Sequence, residues 1–269
     1  MGLPTLVKYM CKTSRDMWER GWAEANGGNI SLRLDAEQRK VVDFFKARND
    51  WQKMPEAFPS LGGEYFMVTA TGSYLRNLEL APEQGMGIIE VSTDGGAWRI
   101  VWGFEPDGRP TSELVSHLGA HVEIMKRTHG RDHAVIHTHA PSLIALTYLI
   151  PDLDTKKLSL LIWSMHTECP VVFPEGVGFL KWLMPGSVEL GHATAEALRR
   201  HSVIVWEHHG AFGSGRNLDE AFGRIYVAEK SAGIYLAAQA AGGVKNPFPV
   251  DHIRAIAKQF GVKLDESLL

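Results

Sequence analysis

Apolar positions along this chain switch between helical and strand periods. Residues 4–22 carry Leu6, Val7, Met10, Met17 and Trp18 at helical spacing, ending near Gly21. Residues 30–34 alternate Ile30, Leu32 and Leu34 against Ser31 and Arg33, the pattern of a half-buried strand. Residues 45–63, with Pro55, Pro59 and paired glycines, read as a loop. Strands are predicted over 64–70 and 86–92, and Thr93-Asp94-Gly95-Gly96 turns the chain into another strand near 97–103, which makes a hairpin. Thr111 or Ser112 is placed to cap a helix reaching about 128. Then follow a strand at 133–138, helices at 141–149 and 156–163, a strand at 169–173, a helix at 187–200, a strand at 202–208, a long helix at 217–241 and a last helix at 250–260. The first half is strand-rich with antiparallel connections, and the second alternates helix and strand. The prediction is an α/β protein, a mixed sheet flanked by helices, with residues 1–269 as a single domain.

Composition narrows the function classes. Lys plus Arg is 28 and Asp plus Glu is 31 in 269 residues, a net charge of −3, which argues against a nucleic-acid partner or a polybasic membrane protein. The two cysteines, Cys11 and Cys169, stand far apart, so neither a disulfide framework nor a thiolate zinc site is expected. No apolar run approaches the ~18 residues of a membrane span, and the amino terminus lacks the charged region and cleavage site of a signal peptide. A cytoplasmic protein is the expectation. Gly85-Met86-Gly87 and Gly213-Ser214-Gly215 lack the third glycine of a dinucleotide loop, and neither a Gly-Lys-Ser/Thr nor a G-x-S-x-G motif occurs.

The chemistry is concentrated in the 12 histidines. His137-Thr138-His139 closes the apolar run Ala134-Val135-Ile136, and on a strand residues two apart face the same way, so both imidazoles can reach one ion. A second buried-strand run, Val203-Ile204-Val205-Trp206, leads into Glu207-His208-His209-Gly210. Two neighbouring strands that end in histidines can gather three nitrogens and leave one coordination position open, as a catalytic zinc needs. Adjacent strand residues point to opposite faces, so one of His208 and His209 should bind, and the pattern does not choose between them. His117 and His121 lie four apart on the helix predicted from 112 to 128, but Leu114, Leu118, Val122 and Met125 make it an ordinary amphipathic helix. Glu113 opens that helix, where a carboxylate is common, although a general acid or base beside the metal would sit there too. Asn26-Gly27-Gly28-Asn29 and Thr71-Gly72-Ser73 are plausible turns, and also segments able to offer N–H groups to an anion.

In order, Gly21-Trp22, Asn26-Gly27-Gly28-Asn29, Val68-Thr69-Ala70-Thr71-Gly72, Pro110-Thr111-Ser112-Glu113, His137-Thr138-His139-Ala140 and His209-Gly210 resemble the class II aldolase/adducin superfamily, the zinc-dependent sugar-phosphate aldolases and epimerases. Further segments extend the resemblance over almost the whole chain: Thr167-Glu168-Cys169, Val171-Val172-Phe173-Pro174, Gly176-Val177-Gly178 and Phe212-Gly213-Ser214-Gly215. The resemblance implies a sheet of about nine strands, largely antiparallel, in a homotetramer with active sites between subunits. It implies one Zn²⁺ per chain on His137, His139 and His209, with Glu113 as the acid/base. It further implies a sugar-phosphate substrate whose phosphate is held by Asn26, Gly28, Asn29, Thr71, Gly72 and Ser112, and Glu168 acting on the aldehyde half from the neighbouring subunit. The family's Gly-Ser-Gly segment reads Ala70-Thr71-Gly72 here, which keeps a hydroxyl and adds a methyl, and His166 precedes Thr167-Glu168 where a small residue is expected. The alternatives are another sugar-phosphate aldolase or a 4-epimerase, and, from a different class, a non-catalytic scaffold that would discard the histidines and Glu113.

Overall fold

The computed structural model describes residues 2–269. In chain order the helices are α1 (Leu3–Glu19), α2 (Pro82–Gly85), α3 (Leu114–Thr128), α4 (Pro141–Leu149), α5 (Thr155–Met165), α6 (Cys169–Val172), α7 (Val188–Leu198), α8 (Leu218–Ala240) and α9 (Val250–Phe260). The strands are β1 (Asn29–Arg33), β2 (Gln52–Lys53), β3 (Tyr65–Thr69), β4 (Met86–Val91), β5 (Ala97–Gly103), β6 (Ala134–Thr138), β7 (Gly178–Leu180), β8 (Val203–Trp206) and β9 (Gly210–Gly215). They form one nine-stranded sheet in the order β2-β5-β4-β3-β1-β6-β9-β8-β7. Among the described residues β7 and β8 pair in parallel and the other pairings are antiparallel. The expected mixed, largely antiparallel α/β sheet is therefore present.

Strand alternation sorts the core into two layers. Ile30 and Leu32 of β1, Met67 of β3, Ile136 of β6 and Val205 of β8 face one side and pack under α1, α4, α5, α8 and α9. Their sequence neighbours Val68, Val135 and Ile204, together with Phe212 of β9, face the other side, under α3 and α7. The long α8 lies close on β9 because Gly213 has no side chain: a Cβ there would stand 2.6 Å from Ile225 Cγ1.

Three expectations are corrected. The segment 169–173 is not a strand but contains the short helix α6. Pro170 suits a first helical turn, and the Phe173 N–H donates to the Cys169 carbonyl at 3.1 Å while both side chains are buried. The segment 45–63 is not wholly loop, since it supplies the edge strand β2 and a 3₁₀ turn at Pro59–Leu61. Neither Thr111 nor Ser112 caps α3: Glu113 occupies the cap position, and Thr111 Oγ1 accepts the Glu113 N–H at 3.3 Å. β7 and β9 go unread in the sequence, the first for its shortness and the second for its glycines.

Candidate metal centre

The register of three central strands builds the site. Asn29 of β1 stands opposite His137 of β6, and His137 stands opposite Phe212 of β9. Alternation then puts Asn29, Ser31, Val135, His137 and Phe212 on the side covered by α3. His139 follows directly after β6, fixed by its own N–H, which donates to the Trp22 carbonyl at 2.9 Å. β8 and β9 form a tight hairpin, with Glu207-His208-His209 between them and the His209 N–H donating to the Trp206 carbonyl at 3.2 Å. One nitrogen from each of His137, His139 and His209 lies within 4.8 Å of the others.

The choice between His208 and His209 is thus made by a turn, not by a strand face. Both residues sit in the hairpin bend, and His208 adopts a left-handed φ of 58°. Its ring turns away to Thr147, with Nδ1 3.1 Å from Oγ1, and packs at a tilt on Tyr148, 4.2 Å between centroids.

The donor set fits a metal ion. His137 Nδ1 lies 3.1 Å from the Ala211 carbonyl, and His139 Nδ1 lies 2.6 Å from Glu24 Oε1. Acceptors at Nδ1 fix the tautomer that leaves Nε2 unprotonated, the usual second layer behind a ligating imidazole. His209 Nδ1 is buried without a hydrogen-bond partner among the described residues. Burial pushes His137 well below the usual histidine range, with help from the neighbouring imidazoles, and burial also lowers His209. Ligating imidazoles must be neutral, so these shifts favour coordination. Gly27 lets the 26–29 loop lie against the site, because a Cβ there would stand 2.9 Å from His139 Cε1.

Glu113 reaches this centre through Asn29, whose Nδ2 donates to Glu113 Oε2 at 2.8 Å. Its charge is felt at His209, where it opposes the effect of burial. The anion-binding candidates converge on the same edge. Thr71 N–H donates to the Arg109 carbonyl and Thr111 N–H to the Thr69 carbonyl, both at 3.0 Å, clipping Thr71-Gly72 beside Ser112. Thr69 Oγ1 accepts the Ile30 N–H at 3.1 Å and ties that segment to the loop carrying Asn26, Gly28 and Asn29. Glu168 is different: it lies exposed at the start of α6, which packs on α8 and α9, and it is not among the side chains gathered with the histidines.

Sequence reasoning missed Glu24, which no spacing ties to His139. It also undervalued His117 and His121. Both are buried, and Ser31 Oγ lies 2.7 Å from His117 Nδ1 and 2.8 Å from His121 Nε2. The available signal was Ser31, a polar residue among the apolar positions of a central strand.

The chain is 43% identical over 267 residues to the rhamnulose-1-phosphate aldolase of Klebsiella pneumoniae, covering 98% of this chain and 95% of that protein. It is 42% identical over 264 residues to the rhamnulose-1-phosphate aldolase of Pectobacterium atrosepticum, covering 98% and 96%. The crystal structure of a sugar-phosphate aldolase from Thermotoga maritima superposes with a TM-score of 0.76 at 28% identity, over 92% of this chain and 99% of that one. The family described as Class II Aldolase and Adducin N-terminal domain matches residues 8–236, and with the histidine centre and its nine-stranded sheet this chain belongs to that family.

Proposed function

We propose that this chain is a zinc-dependent aldolase that reversibly cleaves L-rhamnulose 1-phosphate to dihydroxyacetone phosphate and L-lactaldehyde, acting in the cytoplasm in rhamnose breakdown. The observation that carries the reading is the convergence of His137, His139 and His209 within 4.8 Å, beside a carboxylate tethered to the neighbouring strand. Similarity to rhamnulose-1-phosphate aldolases along nearly the whole chain supports the substrate. Among the described residues no helix is long and apolar enough to cross a membrane.

Aldol cleavage leaves an electron pair on a carbon next to a carbonyl. Bound at the three histidines, a zinc ion supplies Lewis acidity that takes up this developing charge. Glu113 delivers a proton to that carbon in cleavage and removes it in synthesis, so the carboxylate must stand over one carbon and no other. Asn26, Gly28, Asn29, Thr71, Gly72 and Ser112 hold the phosphate, fixing the reacting carbon against Glu113. Asn29 keeps a second amide hydrogen for this after donating to Glu113. No lysine is required as an electron sink.

The reading takes residues 1–269 as one domain, supported by a sheet that draws strands from both halves of the chain. It takes the protein as a homotetramer in which Glu168, exposed and outside its own chain's histidine group, serves the neighbouring subunit's site. Co-expression of Glu113→Gln with Glu168→Ala tests the shared site. In a ring with unbiased mixing roughly a quarter of sites would be whole, and activity no higher than that of the single variants would contradict sharing.

The activity itself is tested by following dihydroxyacetone phosphate release from several ketose 1-phosphates with zinc content measured alongside. L-Rhamnulose 1-phosphate should be the best substrate. Preference for another ketose would reassign the aldolase, and epimerisation without cleavage would overturn it.

A further inference from the structure

α3 buries Leu114, Leu118, Ala120 and Ile124 against the sheet, as an amphipathic helix should, yet it also buries two imidazoles there. Polar groups in such a layer cost stability unless each finds a partner, and apolar residues would fill the space at lower cost. The partners of these two histidines form a continuous path across the layer. His121 Nε2 meets Ser31 Oγ at 2.8 Å, and Ser31 Oγ meets His117 Nδ1 at 2.7 Å. His117 Nε2 contacts Asn29 Oδ1, and Asn29 Nδ2 meets Glu113 Oε2 at 2.8 Å.

The direction of every bond in the path follows from donor chemistry. A carboxylate only accepts, so the amide nitrogen of Asn29 must face Glu113, which leaves the carbonyl oxygen facing His117. That oxygen also only accepts, so His117 Nε2 carries the proton. Burial holds His117 down to about 4, so it is neutral near pH 7 and its Nδ1 must accept, from the Ser31 hydroxyl. Ser31 has one hydrogen to give, so it accepts from His121 Nε2. His121 Nδ1 is then a bare lone pair, and it is buried without a partner among the described residues. All donors run one way, from His121 towards Glu113, and aligned hydrogen bonds strengthen one another.

We propose that His117, Ser31 and His121 are positioning residues: with Asn29 they form a one-way hydrogen-bond chain that holds the Glu113 carboxylate over the reacting carbon. The role rests on the assignment of Glu113 as the acid/base. It explains why a central strand carries Ser31 and why Asn29 is oriented by its neighbours before any substrate arrives.

The test compares His117→Phe with His117→Gln in the metal-loaded enzyme. Phenylalanine fills the space beside Phe212 but removes the donor to Asn29, whereas glutamine retains an N–H group. For His117→Phe, metal content should stay within about twofold and kcat should fall about 10- to 100-fold, more than KM rises through the loosened Asn29, the signature of lost orientation. His117→Gln should recover most of the loss. A kcat for His117→Phe within about twofold of wild type overturns the proposal, and so does a glutamine variant as impaired as the phenylalanine one. Should His117→Phe fold poorly, Ser31→Ala replaces it: kcat should again fall by more than KM rises, and an unchanged kcat overturns the proposal. Thermal unfolding reads the chain without any reaction: the Tm losses of Asn29→Ala and His117→Phe should not add in the double variant. Full additivity contradicts the chain. Coupled stabilities in a protein whose Glu113→Gln variant keeps full activity would instead break the acid/base assignment.

Discussion

The two sides of the sheet are built from the same strands and differ in chemistry. Under α1, α4, α5, α8 and α9 the central strands present Ile30, Leu32, Met67, Ile136 and Val205 in one apolar cluster. Under α3 the same strands begin in the same way, with Val68, Val135, Ile204 and Phe212, and then change where β1, β6 and β9 meet. There the layer holds Asn29, Ser31, His117, His121 and His137, with all but Asn29 fully buried. One side holds the fold together, and the other gives up part of that packing to aim a carboxylate and three imidazoles. A sheet suits this division because alternate residues of a strand serve different neighbours.

Variants on the two sides should therefore fail differently. The largest effect is expected at the polar end. Glu113→Gln keeps the shape and the bond from Asn29 but cannot move the proton, so kcat should drop by ~10²–10⁴ with metal content unchanged. Retention of more than about a tenth of kcat in a steady-state assay would move proton transfer elsewhere. On the apolar side, Ile225→Ala removes a fully buried side chain packed on β9. It should cost about 2–5 kcal/mol in denaturant unfolding and leave kcat per folded, metal-loaded chain within about twofold. A matching loss of kcat would show that the sides are not independent.

The smallest effect separates the sides by pH. His117 is lowered to about 4 and His121 and His137 well below the usual value, chiefly by burial. Their folded values lie below the unfolded value of 6.5, so the unfolded chain takes up protons first. The stability they contribute is complete above about pH 6.5 and is lost as pH falls towards their folded values. In the metal-free protein His117 should add about 1.4 kcal/mol per pH unit to the slope between 6.5 and 4. His117→Phe should flatten that slope, whereas Ile225→Ala should lower the whole curve without changing it. Equal slopes in wild type and His117→Phe would contradict the buried neutral imidazole.

Much of this was legible because periodicity reports burial. α4 at Pro141–Leu149 and α9 at Val250–Phe260 have the bounds that their apolar spacing predicts, and β5 does as well. The H-x-H spacing after a buried run marked His137 and His139, which the structure brings together with His209. What could not be read depends on contacts between distant segments. β9 carries Gly213 and Gly215 where α8 lies against it and Gly210 where the end of β6 does, and no local propensity signals those approaches. The β-branched run Val171-Val172 reads as strand, but burial of Cys169 and Phe173 one helical turn apart decides the segment. His117 and His121 read as ordinary helix residues, since their significance lies in Ser31, 86 and 90 residues away in sequence.

The central claim is that three histidines, and not the adjacent His208, form one metal centre. Zinc binding by calorimetry and elemental analysis, compared across His137→Ala, His139→Ala, His209→Ala and His208→Ala, tests it most directly. Wild type and His208→Ala should hold about one ion per chain, and the other three should lose it together with activity. Retention of stoichiometric zinc by His209→Ala, with loss in His208→Ala, would contradict the centre described by the fold.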